Sequence, residues 1–482
     1  MKKFFLVSLI SFLVLGFGVA YAQEKAPVLN FTASGFINVV SFWTMNNPPL
    51  NGGATIYGAP ANYRVPDANA YDKTVAYLDS RAHLKFNAAM GKELSGTIYF
   101  EMDSTRWGEI GAGRGGMGDW NGDQTGVELK NVYIDVALPY FGIPAPMTAR
   151  VGLQALSIRP QLFVYTDGMG ISGGIKVDPV MIQPMWFKAL EGNDWNADDV
   201  DVYGLHVNAK IGTATIGGYG VNYNMNTYPL NNPAGAGAAN MWWFGGYADG
   251  KFGPVNYNLD FIYDDGEVEA TGFRDVDYSG WVAKAKLDYP WEKFNFGVVG
   301  HYGTGADRNK TDATGLANGA NRKVESFVVP PGSEAGPING ESVMLSMYAG
   351  SSGGAGWANR LNTNQMTNGP SGGIWFAKLY ASMKATPWYK VTLQGLYIGD
   401  TTKHGNTIGN ALKSDGVTPE DDSQIGIEFD LVNELQLYKN LKWEIAGGYM
   451  FAGDGMDFNV AGANNDSPKN PWAILTRFTY SF

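Results

Sequence analysis

Hydrophobic and polar residues alternate with a period of two along much of this chain. Over the last eleven residues, Trp472, Ile474, Thr476, Phe478, Tyr480 and Phe482 fall on one face, and Ala473, Leu475, Arg477, Thr479 and Ser481 on the other. In Tyr77–Ala88, Asp79, Arg81, His83, Lys85 and Asn87 oppose Leu78, Ala82, Leu84 and Phe86. Leu94–Thr105 sets Thr97, Glu101, Asp103 and Thr105 against Leu94, Ile98, Phe100 and Met102. The same split separates Asn256, Asn258 and Asp260 from Val255, Tyr257, Leu259 and Phe261. Lys284 and Lys286 oppose Trp281, Ala283, Ala285 and Leu287, and Lys378 and Lys384 oppose Trp375, Leu379 and Met383. Gln424, Glu428, Asp430, Glu434 and Gln436 oppose Ile425, Ile427, Phe429, Leu431, Leu435 and Leu437. A period of two is the signature of strands with unlike faces. Segments of about 9–11 residues are long enough to cross a hydrocarbon layer when tilted. A soluble sandwich or an edge strand alternates in the same way, so the pattern alone leaves both architectures open.

Two further features favour a transmembrane antiparallel up-and-down β-barrel. Connections alternate between short ones (Gly91–Glu93, Asp178-Pro179, Gly253-Pro254, Lys439-Asn440) and long ones (Met45–Lys73, Gly108–Thr125, Thr304–Gly372, Thr402–Asp422). Pro290-Trp291 and Pro387-Trp388 place indole rings at one end of strands, where an interfacial aromatic girdle belongs. The pattern predicts about eighteen strands, at 31–44, 74–90, 94–107, 126–138, 147–156, 171–177, 180–190, 200–211, 213–224, 240–251, 255–265, 276–288, 292–303, 373–386, 389–400, 423–437, 441–453 and 472–482. The sixth, ninth and tenth alternate weakly, so sixteen strands is the other reading. Gly-Gly-Tyr at Gly217–Tyr219, Gly245–Tyr247 and Gly447–Tyr449 marks places where glycine eases strand bending beside a tyrosine. The Thr304–Gly372 connection, with a short helix expected around Glu341–Ala349, folds over the mouth or into the lumen; the sequence does not choose.

Ahead of the strands, Lys2-Lys3, an apolar run from Phe4 to Val19 and Ala20-Tyr21-Ala22 form a secretory signal cleaved after Ala22, which leaves 23–482 as a single barrel domain. Its removal takes the basic side chains from 35 to 33 against 46 acidic ones, and the net charge from −11 to −13. An acidic chain is a poor partner for nucleic acid. The 64 glycines and 13% aromatic residues suit glycine-kinked strands with one wet face. The chain has no cysteine, so it offers no thiolate metal site and no covalent haem attachment.

Candidate chemistry is sparse. Gly111-Ala-Gly-Arg-Gly-Gly116 matches a dinucleotide motif by letters, but Met117-Gly-Asp-Trp-Asn-Gly122 cannot open the helix that motif requires, so it reads as an external loop. His83, His206 and His301 lie in different strands as polar wall residues, with no serine and orienting group recognisably placed beside them. No H-E-x-x-H spacing is present, and no metal or cofactor is expected. The charged faces are more telling. Arg81, His83 and Lys85 stand in a row, with Arg150, His206, Lys210, Lys284, Lys286 and Lys378 elsewhere; Glu101, Asp103, Asp135, Asp260, Glu428 and Asp430 supply carboxylates. A charge facing lipid near the midplane costs about 2–4 kcal/mol. These residues are therefore expected to face a lumen, which in an eighteen-stranded barrel is too wide for wall side chains to fill. A lumen lined by both signs passes small hydrophilic solutes and filters them by size and charge.

The signal, the dyad strands, the alternating turn lengths and the closing strand ending on Phe482 together resemble the Gram-negative outer-membrane porin families. That resemblance implies a homotrimeric passive channel in the outer membrane, surrounded by lipid and lipopolysaccharide. It also implies recognition of Phe478, Tyr480 and Phe482 by the barrel-assembly machinery. The acidic runs Asp194, Asp198, Asp199 and Asp201, and Glu420, Asp421 and Asp422, are solvated loops or sites for cations bridging lipopolysaccharide phosphates. In many porins the third external loop narrows the pore. By strand count that loop is Ser157–Gly170, which offers Arg159, Tyr165 and Asp167 as constriction residues; its Leu162 and Phe163 would alternatively serve a subunit contact. It lacks the Pro-Glu-Phe-Gly-Gly signature of some general porins. Two other readings are a barrel filled by a partner, such as a sheath around an electron-transfer cytochrome, and an outer-membrane hydrolase dependent on His83 or His206.

Overall fold

A computed structural model describes residues 28–46, 74–108, 118, 126–139, 142, 145–192, 196–230, 237–270, 275–310, 323–334, 341–343, 366, 371–461 and 464–482. The signal segment, the Gly111–Gly116 motif, Asp194, most of the helix expected at 341–349 and the side chain of Asp103 lie outside the described residues.

Eighteen strands form the wall. The first nine are β1 (Leu29–Met45), β2 (Thr74–Met90), β3 (Leu94–Arg106), β4 (Glu128–Leu138), β5 (Met147–Ile158), β6 (Val164–Val177), β7 (Val180–Leu190), β8 (Val200–Ile211) and β9 (Ala214–Tyr228). They continue as β10 (Gly237–Phe252), β11 (Val255–Ala270), β12 (Val276–Trp291), β13 (Phe294–Gly303), β14 (Ile374–Thr386), β15 (Tyr389–Asp400), β16 (Gln424–Tyr438), β17 (Leu441–Ala452) and β18 (Trp472–Ser481). Each pairs antiparallel with its neighbours in sequence, and β18 pairs with β1 from Phe36↔Ser481 to Met45↔Trp472, which closes the barrel and leaves no open edge among the wall strands. The closure ends in two backbone hydrogen bonds, from Phe482 N to Gly35 O (3.1 Å) and from Gly35 N to Phe482 O (2.9 Å).

The outer face is apolar and has no protein cover. Leu379 (69%), Leu393 (60%) and Phe429 (53%) expose most of their surface, which in water would be an aggregating patch and in lipid is solvated. Aromatic girdles flank this band. On β12, Trp281 and Trp291 both point outward. They are separated by about 34 Å of strand at ~3.4 Å per residue, or about 25 Å of height at a tilt of ~40°, which matches the apolar band of a transmembrane barrel. Trp291 and Trp388 sit at the short-turn end, as their Pro-Trp contexts predict. The face assignment of the closing strand also holds: Ala473 and Leu475 are buried inside, and Ile474, Phe478 and Tyr480 are exposed outside.

The interior departs from a simple wet lumen. Beyond Val132↔Leu153 on one side and Met169↔Lys188 on the other, the outer halves of β5 and β6 pair only with each other. This hairpin tip, residues 154–168, folds into the barrel and packs Leu156, Ile158, Leu162, Phe163 and Val164 against inward residues of β7–β12, including Phe187, Val202, Tyr219, Trp243 and Ile262. Phe163 stacks on Tyr219 at 5.1 Å. An apolar core therefore fills one side of the lumen, where the expectation is a wet lumen lined by charges of both signs. It also explains the weak alternation of β9 and β10: Trp242 faces lipid and Trp243 faces the core, so both faces are greasy. In the same region the Gly-Gly-Tyr segments interlock. Gly245 lies opposite Tyr219 and Gly217 opposite Tyr247, so each tyrosine ring covers the other strand's glycine, where a Cβ would collide with it.

Candidate pore constriction

The expected loop Ser157–Gly170 is a five-residue turn, 159–163, between strands that run on to Ile158 and resume at Val164. The turn does project inward, but Tyr165 and Asp167 lie on β6 itself. The sequence overstates the loop's length because tip residues alternate poorly: both of their faces meet protein. Leu162 and Phe163 are buried within the barrel, which removes the subunit-contact alternative for them.

Arg159, at positive φ (46°), anchors the tip across the lumen. Its guanidinium donates to Asp249 Oδ2 (2.6 Å, from Nη1) and Asp260 Oδ2 (2.6 Å, from Nη2), and it lies 4.5 Å from the Tyr247 ring centre. His206 Nε2 is 2.9 Å from the same tyrosine's hydroxyl. Here the predicted Arg159, from the turn, does meet Asp260 on β11 and, through Tyr247 on β10, His206 on β8.

The opposite face of the tip looks toward β2–β4. Glu101 collects three partners: Arg81 through Nε (2.7 Å), His83 through Nε2 (2.6 Å) and Lys130 through Nζ (2.8 Å). Lys130 also reaches Asp167 at 3.0 Å, and Asn131 Nδ2 donates to Asp167 Oδ1 at 2.7 Å. His83 Nδ1 is 2.6 Å from the Tyr99 hydroxyl. Lys130 was not legible from the pattern. Strict alternation with Asn131 and Tyr133 turns it toward lipid, but the β3–β4 register slips between Tyr99 and Phe100, and the bulge turns it inward.

Besides Met366, which is buried in the apolar core, two described stretches of the long connection after β13 enter the lumen. Residues 323–334 lie on the core: Val328 N donates to Asp264 Oδ2 (3.1 Å), and Trp243 Nε1 donates to Val328 O (2.9 Å). Ser333 Oγ then donates to Phe163 O (2.9 Å) and Glu334 N to Tyr165 O (2.8 Å), so Glu334 is fixed beside the hairpin with its side chain exposed. Farther on, Glu341 bridges Lys284 (3.0 Å) and Lys378 (2.9 Å). Ser342 Oγ bonds Glu428 Oε2 (2.7 Å), and Val343 N bonds Asp430 Oδ2 (3.1 Å). Lys284, Lys378, Glu428 and Asp430 are thus inward, as predicted, but here they seat a loop instead of lining open water.

Of the other candidates, Asp135 and Arg150 pair at 2.7 Å and stay half-exposed. Lys85 faces inward on β2, Lys286 lies 5.5 Å from the Tyr380 ring centre, and Lys210 is exposed at the short-turn end of β8. Glu334 and Glu341 come from the long loop, where no periodic signal marks them. Asp249 stands in a wall strand whose inner face is mostly apolar. Among the described residues no group of histidine, aspartate and glutamate side chains is arranged to hold a metal ion.

Several solved structures share this architecture. One is Pseudomonas aeruginosa OccK9 (OpdG), at 8% identity over 94% of this chain and 99% of that one, with a TM-score of 0.50. Another is Pseudomonas aeruginosa OpdO, at 9% identity over 94% and 97% of the two chains, again with a TM-score of 0.50. No protein-family model matches the chain, and no curated protein matches it in sequence. At such identities the likeness is one of fold. That fold is a closed eighteen-stranded barrel, and its exposed apolar band is what such a wall presents to lipid.

Proposed function

We propose that this barrel is a passive outer-membrane channel for small hydrophilic solutes or ions. One observation carries the reading. The hairpin tip and the long loop divide the interior into a packed apolar side and a polar side, where Arg81, Tyr165, Asp167 and Glu334 keep exposed or half-exposed polar groups between wall and tip. A barrel meant only to be filled would bury such groups in pairs. The chain's own segments occupy the space a haem protein would need, which weighs against the sheath reading. His83 and His206 contact tyrosine and glutamate instead of a serine, which weighs against a hydrolase.

Transport without an energy source follows from this geometry: a solute crosses down its gradient and is sorted by width and by the transverse field between Arg81 on the wall and Glu334 on the insert. Proteoliposomes carrying the purified chain should swell in iso-osmotic solutions of small sugars or amino acids, at rates that fall with solute size. Swelling no faster than in protein-free vesicles overturns the proposal.

Two finer points rest on the sequence resemblance. A homotrimer would use the exterior apolar depression over β12–β16 (Leu287, Phe296, Leu379, Leu393, Phe429) as its subunit contact; native mass spectrometry giving only single chains counts against it. Phe478, Tyr480 and Phe482 would serve as the assembly signal, so deletion of Phe482 should lower the yield of inserted barrel in cells while in vitro folding persists.

A further inference from the structure

The inward charges are sorted along the barrel axis by what they pair with. From mid-strand toward the external ends, the cations Arg81, Lys130, Lys284 and Lys378 each bind a carboxylate. An exposed carboxylate, Glu334, is left over there beside the tip; Asp264 and Asp430 are buried, accepting from the Gly280 and Val328 N–H groups and from Gln394 and Val343 N. The external loops continue the sign with Asp415, Glu420, Asp421 and Asp422.

Toward the periplasmic turns the sorting reverses. Asp135 is held by Arg150, Asp249 and Asp260 by Arg159, Glu434 by Lys390 and Lys442, and Glu444 by Lys442. Lys85, Lys210, Lys286 and Lys384 face inward from β2, β8, β12 and β14 and form no ion pair among the described residues. Asp288 is the exception: Asn295 and Tyr380 bond it, two residues from Lys286. At the turns Lys92, Lys176, Lys251, Lys293 and Lys439 outnumber Glu93, Asp178 and Glu292.

An aqueous path narrower than the Debye length, about 10 Å at 0.1 M salt, takes the ion selectivity of its walls. Here an acidic external zone and a basic periplasmic zone stand in series. We propose that the lumen is an ionic rectifier that passes more current when the external side is positive. With that polarity, cations enter through the acidic zone and anions through the basic zone, and both accumulate where the zones meet. The opposite polarity draws both away and empties the junction. Fixed charge alone produces the asymmetry, so no part of the chain has to move. The inference rests on the channel reading and gives it a direction.

The test uses single channels of the full chain in planar bilayers. The chain has no cysteine, so orientation is read by placing one at the exposed external residue Val417 (V417C) and tagging it from one side with a membrane-impermeant maleimide. At 0.1 M KCl the current with the external side positive should exceed the reverse current by about two-fold or more, and the ratio should approach one at 3 M, where screening lengths fall below about 3 Å. The triple variant K85Q/K210Q/K286Q should bring the 0.1 M ratio toward one while steps persist; if it does not insert, the salt series on V417C decides alone. Symmetric steps at 0.1 M, a larger current with the periplasmic side positive, or a ratio unchanged at 3 M overturns the inference. Absence of steps overturns the channel reading itself, and this inference with it.

Discussion

The hairpin tip is held in the lumen by contacts of unequal worth, and their magnitudes predict what cutting each one does. Arg159→Ala strips Asp249 and Asp260 of their shared partner. A fully buried pair broken this way costs about 3–5 kcal/mol. Here Arg159 is 21% exposed and Asp249 30%, so water reaches the site, and about 2–3 kcal/mol is the better figure. What remains is larger. Leu162 and Phe163 are almost fully buried and contribute about 4 kcal/mol together. The bonds from Ser333 Oγ and Glu334 N add about 1 kcal/mol each. With roughly 6 kcal/mol left, fewer than about 1 tip in 10,000 detaches after the single change. Adding Phe163→Ala removes about 3–5 kcal/mol more, so the double variant should show a few per cent detached. The assay is hydrogen exchange at the Leu162 and Phe163 amides, which donate to Arg159 O, read alongside single-channel noise. R159A should keep its protection and quiet current; the double variant should exchange faster and flicker. A single change that frees the tip, or a double change that leaves it protected, refutes the reasoning.

Leu379→Arg places a cation on the lipid face and should cost about 2–4 kcal/mol, measured as a lower urea midpoint for folding into vesicles; no change would mean that this face does not meet hydrocarbon. Gly245→Ala should destabilise by about 1–3 kcal/mol, because the added methyl strikes the buried Tyr219 ring, while Gly218→Ala, whose Cβ has room, should be mild; equal effects contradict the interlock. Burial alone pushes the Glu341 carboxyl up, but the Lys284 and Lys378 ammonium groups outweigh it and hold the carboxyl at about 2, below its ordinary 4.5. A depressed carboxyl stabilises fully above its unfolded pKa, so the 341–343 contact should be constant from pH 7 to 5 and weaken from about 4.5 toward 2. Hydrogen exchange of the Val343 amide across that range, compared with E341Q, reads out the part due to Glu341; a pH dependence identical in the two chains would refute it.

The wall was legible because lipid and lumen impose opposite demands on alternate residues. The faces of Trp472–Ser481, the inward row Arg81, His83 and Lys85, and the Pro-Trp girdle all follow from that rule. It failed where a third environment appears. The inner faces of β9 and β10 meet an apolar insert, so Met241 and Trp243 point inward yet look like lipid-facing residues. For the same reason the tip of β5–β6 read as a long loop. Lys130 escaped because a bulge shifts the face by one residue, a change set by pairing with β3 that leaves no mark on β4 alone. Glu334 and Glu341 owe their places to contacts with residues far away in sequence, Tyr165 more than a hundred residues off and Lys284 more than fifty. Local period carries no information at that range.

The most direct test of the account is whether one folded barrel conducts. Purified full chain, shown by circular dichroism to be β-rich and added to a planar bilayer, should raise the current in discrete, uniform steps. Steps should be small for eighteen strands, because the hairpin tip and the long loop fill one side of the lumen. Folded, inserted protein that leaves the membrane sealed would contradict the central claim.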